Sequence, residues 1–149
     1  LMHFGYNGPY GERIDKVLKE TALMTLKMQS VTGEVAFGGR SNQFLYNEAL
    51  LAIIYEYEAN RYVKERNLPL AEQFKTMTER AIANTEYWLN EKTIRHIKNR
   101  FPVESRYGCE DYAYFDKYMI TSASMLFNAY LMCDDDIEVV EEKAEADAE

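Results

Sequence analysis

Two long segments of this chain lack glycine and proline and are apolar on every side, which constrains the fold more than any other feature. In FLYNEALLAIIYEYEANRYV, residues Phe44, Leu45, Leu50, Leu51, Ile53, Ile54, Tyr55 and Tyr57 surround a helix. Between Glu110 and Cys133, residues Tyr112, Ala113, Tyr114, Phe115, Tyr118, Met119, Ile120, Met125, Leu126, Phe127, Tyr130, Leu131 and Met132 do the same. A helix without a polar face belongs in an interior. Both segments are therefore expected to be buried helices.

Breakers fall in only a few places: Gly5 to Gly11, Gly33 to Gly39, Pro69, and Pro102 to Gly108. The stretches between them read as five helices. The first spans residues 12–30, with Ile14, Val17, Leu18, Ala22, Leu23, Leu26 and Met28 among its apolar positions. The second spans 42–67, with Ser41 as N-cap. The third spans 69–90 and starts on Pro69, which suits the first helical position. It carries one stripe of Leu70, Phe74, Met77, Ala81 and Trp88. Glu72, Gln73, Lys75, Thr76, Glu79 and Arg80 lie opposite, as on an ordinary surface helix. A short fourth helix, 91–100, holds Ile94 and Ile97 among charges and stops before Pro102. The fifth spans 110–133.

In a simple four-helix bundle each helix shows one stripe. Two helices apolar all round, beside one ordinary surface helix, suit an inner layer wrapped by an outer layer. The expected fold class is all-α, with antiparallel helical hairpins in two layers, as in a helical toroid or a hairpin solenoid. No fixed-period repeat marks a regular solenoid. The expected organisation is an N-terminal extension at 1–11, a helical domain at 12–133 and an acidic tail at 134–149.

The net charge of −8 resides in that tail. Residues 134–149 hold nine acids and one lysine, so residues 1–133 balance 16 acids against 16 bases. No basic stripe remains to follow a phosphate backbone, which speaks against nucleic-acid binding. The tail reads as a solvated, mobile end. Its DDD run lacks the spacing and closing glutamate of a calcium loop. Along one helix Cys109 and Cys133 would stand about 36 Å apart, far beyond disulfide reach, and their spacing fits no zinc site. No segment approaches the roughly 20 apolar residues that span a bilayer, so no membrane role is expected. Leu1 to Tyr10 has no apolar leader core, and the chain reads as a piece of something longer.

Two polar constellations stand out. The first is Phe37 to Gln43, continuing to Tyr46, Asn47 and Glu48. Adjacent glycines lead into a helix start bearing Arg40, Ser41, Asn42 and Gln43, a concentration of donors suited to hydroxyls or a carboxylate. Glu48 enters a buried helix, where a carboxylate is costly unless paired. A helix cap with a Glu48–Arg40 ion pair explains the same residues structurally. The second comprises Arg95, His96, Asn99, Arg100 and Phe101, then Glu104, Arg106, Tyr107, Gly108, Cys109, Glu110, Asp111 and Tyr112. Here Glu110 and Asp111 would also favour the positive end of the fifth helix, and His96 would serve as a surface group or titrate near neutrality. Each constellation precedes a buried helix. If inner helices run parallel, their leading ends line one rim of a cavity, the form expected of a binding site. No nucleophile elbow, phosphate loop, dinucleotide fingerprint or zinc pattern appears, and no cofactor or metal is expected.

The segments GGRSNQFLYNEA (38–49) and IRHIKNRFP…YGCEDYAYFDKYMITSASMLFNAYLMCDDDI (94–137) carry a resemblance. Over about residues 9–137 the chain resembles the helical domain of bacterial polysaccharide lyases and glycoside hydrolases with an (α/α) toroid, particularly uncharacterised heparinase II/III-like proteins. The resemblance implies a partial toroid, because a full one needs roughly twice as many helices, and a flanking β-rich domain. It implies a carbohydrate ligand and a bacterial source; the localisation is left open, with the bacterial cytoplasm favoured because the chain shows no signal peptide. Two mechanisms follow. Elimination from a uronic acid needs a carboxylate neutraliser, a base and an acid. Arg40, Asn42 and Gln43 would neutralise, Tyr107, Tyr112 or His96 would move protons, and Asn47 and Arg100 would bind substrate. Hydrolysis needs two carboxylates, for which Glu48 with Glu110 or Asp111 are the candidates. The alternative is a non-catalytic helical module that binds a glycan or a protein.

Overall fold

A computed structural model describes residues 8–34, 44, 46–89, 98, 104, 117–134, 136 and 137. Among these the fold is all-helical and contains no strand: α1 is Gly11–Met28, α2 Tyr46–Lys64, α3 Leu68–Leu89 and α4 Lys117–Met132. Of the expected fourth helix only Lys98 is described, and it is not helical.

The α2–α3 hairpin follows from its local chemistry. Arg66 adopts a left-handed φ of 60°. The Asn67 and Arg66 amides then donate back to the Tyr62 and Val63 carbonyls at 2.8 and 3.0 Å. That pairing is a Schellman closure, here with arginine in the position glycine usually takes. The Asn67 carbonyl accepts the first helical bond of α3 from Ala71, and Pro69 occupies the opening turn, where its missing N–H costs nothing. α3 returns antiparallel to α2, since Tyr62 and Tyr55 stack on Phe74 while Glu56 meets Lys75.

α1 also runs antiparallel to α2: Asp15 pairs with Arg61 and Lys19 with Glu65 at one end. α4 packs along α2 and ends beside Asn60, whose side chain donates to the Met132 carbonyl at 2.7 Å. α4 therefore runs in the same direction as α2. The helices alternate in direction, as layered hairpins require, and the first turns of α2 and α4 share one end of the molecule with the last turns of α1 and α3.

The core surrounds α2. Ala22 and Leu26 from α1, Leu51, Tyr55, Ala59 and Tyr62 from α2, and Ala71, Phe74 and Ala81 from α3 form one cluster. Ile137 joins it, so this residue, assigned from sequence to the acidic tail, contributes to the body of the fold. Full burial of a side chain such as Phe74 stabilises by about 1.5–3 kcal/mol.

Two expectations change. α3 is more than a surface helix: Lys75 and Thr76, placed on its polar face by sequence, are both buried. Lys75 finds Glu56 and Cys133 there, and the Thr76 hydroxyl bonds the Glu72 carbonyl. The fifth expected helix, seen here as α4, is not covered on all sides. It buries Ser122 and Ala129 but leaves Ile120, Phe127, Tyr130 and Leu131 each more than half exposed. Its apolar circumference is real, but only α2 packs broadly against it among the described helices.

Candidate functional site

Glu48 sits in the first turn of α2, where the helix dipole favours a negative charge, yet it is fully buried. Lys98 reaches it at 2.7 Å and contacts Glu34 at 3.4 Å. Burial pushes the Glu48 carboxyl above the usual carboxylate range, with Lys98 opposing the shift. Its second oxygen, Oε2, has no hydrogen-bond partner among the described residues. A carboxyl closed off from solvent is poorly placed to exchange a proton with a bound molecule. Glu48 is placed instead to hold Lys98, which in turn holds Glu34.

Glu34 opens onto a groove of about 500 Å³, lined among the described residues by Val31, Thr32, Glu34, Arg80, Ala83, Asn84, Tyr87 and Trp88. That volume lies within the range of small-ligand sites, about 300–1,000 Å³. The Gln29–Glu34 turn forms one wall and is fixed to α3. Gln29 Nε2 donates to the carbonyls of Gly33 and Met77 at 3.0 and 3.1 Å. Asn84 Nδ2 donates to the Thr32 carbonyl at 3.0 Å. Gly33 has φ +85° and lies so close to α3 that a Cβ would collide with the Arg80 carbonyl. Only glycine meets both demands without strain. Tyr87 and Trp88 form the aromatic end of the groove, with centroids 5.3 Å apart and rings at 84°.

Two further carboxylates are buried on α2, away from the groove lining. Glu56 meets Lys75 at 2.8 Å, and Lys75 also donates to the Cys133 thiol at 2.9 Å. Glu58 lies 3.3 Å from Arg61, which is held by Asp15 at 2.7 Å. Burial raises both glutamates above the ordinary range, against the pull of Lys75 on Glu56 and of Arg61 on Glu58. Burial disfavours the Lys75 ammonium, but its bonds to Cys133 and Glu56 outweigh that and raise its pKa. The Tyr55 phenol, pushed up to about 12 by burial, completes this proton-retaining interior. The neighbouring Thr25 hydroxyl is directed at its own helix carbonyls, and the Tyr55 oxygen is left without a formed bond.

Of the residues singled out from sequence, Glu48 and Asn47 are described, both in the first turn of α2. Asn47 is half-buried. Arg40, Asn42, Gln43, His96, Arg100, Tyr107, Glu110, Asp111 and Tyr112 lie outside the described residues, as does the Glu48–Arg40 pairing. Lys98, which lies between His96 and Arg100 in sequence, does come to Glu48 at 2.7 Å. Sequence reasoning missed the groove residues Glu34, Arg80, Asn84, Tyr87 and Trp88. The available signals were a Thr-Gly turn and a Tyr-Trp pair ending a helix. Among the described residues no group of three or more metal-ligating side chains converges, and no helix is long and apolar enough to cross a membrane.

Comparison with known proteins returns no match: no family model, no curated protein and no solved structure matches this chain.

Proposed function

We propose that the chain is part of a helical toroid belonging to a carbohydrate-active enzyme, which acts on an acidic polysaccharide or oligosaccharide by β-elimination or hydrolysis. The observation that carries the reading is the 2.7 Å bond from Lys98 to Glu48. It draws together the two segments that bear the resemblance to toroidal lyases and hydrolases. The shared direction of α2 and α4 supports it, since their leading ends then face one rim. The bare apolar faces of α4 and of α1, where Tyr10, Val17 and Met24 are exposed, suit an array that continues on both sides.

In elimination, a base removes the C5 proton of a uronate, the C4–O bond breaks, a C4=C5 double bond forms, and an acid protonates the departing oxygen. Arg40, Asn42 and Gln43 would neutralise the uronate carboxylate, with Tyr107, Tyr112 or His96 as proton carriers. In hydrolysis the candidate carboxylates are Glu48 with Glu110 or Asp111, and the full burial of Glu48 suits it to a positioning role through Lys98. The full burial of Glu48 also favours a second reading, a non-catalytic helical module that binds a glycan.

Incubation of the protein with a panel of uronate polymers separates these readings. Elimination yields an unsaturated product that absorbs in the ultraviolet, and hydrolysis yields reducing ends without that absorbance. A folded protein that produces neither from any polymer rules out the enzyme.

A further inference from the structure

We propose that Cys133 is a peroxide-reactive thiol, activated by the Lys75 ammonium beside it and oxidised to a sulfenic acid. This site is independent of the carbohydrate reading and lies about two turns along α2 from Glu48.

Three helices bring the cluster together: Glu56 from α2, Lys75 from α3, and Cys133 just past the end of α4. Lys75 Nζ donates to the Glu56 carboxylate at 2.8 Å and to the Cys133 sulfur at 2.9 Å. Glu56 is 2 % exposed and Lys75 3 %, but Cys133 is exposed. The ion pair is thus held in the interior while the thiol meets solvent. Neighbours on both sides fix the position of Cys133. Asn60 donates to the Met132 carbonyl at 2.7 Å, the Cys133 amide donates to the Tyr130 carbonyl at 3.1 Å, and Ile137 is buried in the core.

The thiolate, not the thiol, is the nucleophile, and an adjacent ammonium favours it. Burial opposes the Lys75 charge, but the bonds to Cys133 and Glu56 outweigh it and keep the amine protonated. Other charges oppose the thiolate. The end of α4 is the negative end of its dipole, and Glu79 of α3 and Asp134 act on the same cluster through Glu56. Glu79 is exposed and Asp134 half-buried, so solvent screens both, whereas Lys75 touches the sulfur. Activation of Cys133 therefore depends on Lys75.

In the reaction, the thiolate sulfur attacks one oxygen of hydrogen peroxide. An S–O bond forms, the O–O bond breaks, and the departing hydroxide takes a proton from solvent. Sulfur loses two electrons and the peroxide gains them, which leaves a sulfenic acid that further thiol chemistry can reverse.

Dimedone, which captures sulfenic acids, is added with hydrogen peroxide at pH 7 to the native protein and to the protein unfolded in urea. Trypsin cleaves after Lys117 and so separates the Cys133 peptide from that of Cys109, and mass spectrometry follows each. An ordinary thiol is only a few per cent ionised at neutral pH, so labelling of Cys133 is expected to be about tenfold faster in the native protein. Lys75→Met should abolish this gain. It should also move the midpoint of the rate–pH profile for alkylation of Cys133 by iodoacetamide to higher pH, whereas a change in exposure alone scales the rate and leaves the midpoint in place. The double variant Glu56→Gln with Lys75→Met removes both buried charges and serves if Lys75→Met alone does not fold. Native labelling no faster than labelling in urea overturns the assignment, as does a midpoint that the folded variant leaves unmoved.

Discussion

The centre of this molecule and its edges distribute their chemistry in opposite ways. Around α2, where water is excluded, Glu48, Glu56, Glu58 and Lys75 are all almost completely buried. On α4, where water is present, Ile120, Phe127, Tyr130 and Leu131 are exposed. Each arrangement is unfavourable on transfer grounds. The interior tolerates its charges because each has a partner: Lys98 for Glu48, Lys75 for Glu56, and Arg61 for Glu58. No described helix other than α2 packs broadly on α4. The contrast shows that α2 is surrounded, whereas the described helices leave much of the apolar surface of α4 uncovered.

The largest expected effect falls at the centre. Glu56→Ala strands the Lys75 ammonium in the interior and should cost about 3–5 kcal/mol in chemical denaturation. A loss below about 1 kcal/mol would show that water reaches the pair and that the centre is not sealed. Phe74→Ala, which empties the space between Tyr55 and Tyr62, belongs in the same range, about 3–5 kcal/mol.

Gly33→Ala should cost about 1–3 kcal/mol, the usual scale of local backbone strain. The turn must lift from Arg80, so the groove changes shape with it. Unaltered stability together with an unaltered Trp88 emission spectrum would mean that the turn is not clamped as described.

The pH dependence tests the buried carboxyls together. Glu48, Glu56 and Glu58 all have raised pKa values in the fold. The native state therefore holds protons more tightly than the unfolded chain, and stability falls as pH rises between the unfolded and folded values. Acidifying from neutrality into that window should raise the Tm, with no further gain below the ordinary carboxylate range. Glu56→Gln should flatten part of the slope. A Tm that drops steadily from pH 7.5 to pH 5.5 contradicts the central burial.

The smallest effects lie at the edges. Phe127→Ser and Leu131→Ser should each change stability by no more than about 0.5 kcal/mol, the usual range for exposed positions. Lys16→Ala, which removes the exposed pair with Glu20, should also cost no more than about 0.5 kcal/mol. A loss above about 2 kcal/mol in Phe127→Ser would show that the face is covered in solution, and the comparison with the centre would collapse.

Residue pattern revealed some of these features and not others. The burial of α2 and the hairpin across Pro69 were readable because the absence of a polar face and the turn chemistry are local properties. The same rule misjudged α4: an apolar circumference records the surface a helix could lose to a neighbour, not whether one is present. Lys75 was assigned to a solvent face because helical spacing does not reveal that a carboxylate from another helix waits opposite. Glu48 was recognised as a buried charge in need of a partner, but Lys98 is fifty residues away in sequence. The groove was invisible for a related reason. Glu34 and Thr32 come from a turn, Asn84, Tyr87 and Trp88 come from a helix end, and only the clamp at Gly33 brings them together.

The buried charges of α2 also determine which way the helices can fit. Between α2 and α3, Phe74 sits against Tyr55 and Tyr62, with Ala59, Ala71 and Ala81 enclosed in the same cluster. Sliding by one turn, about 5.4 Å, would unstack these rings. Such a slip would carry Glu56 beyond the reach of Lys75 and leave two isolated charges in an apolar medium. The pair thus works as a key: it adds little to the strength of the packing, but it makes every neighbouring register prohibitive.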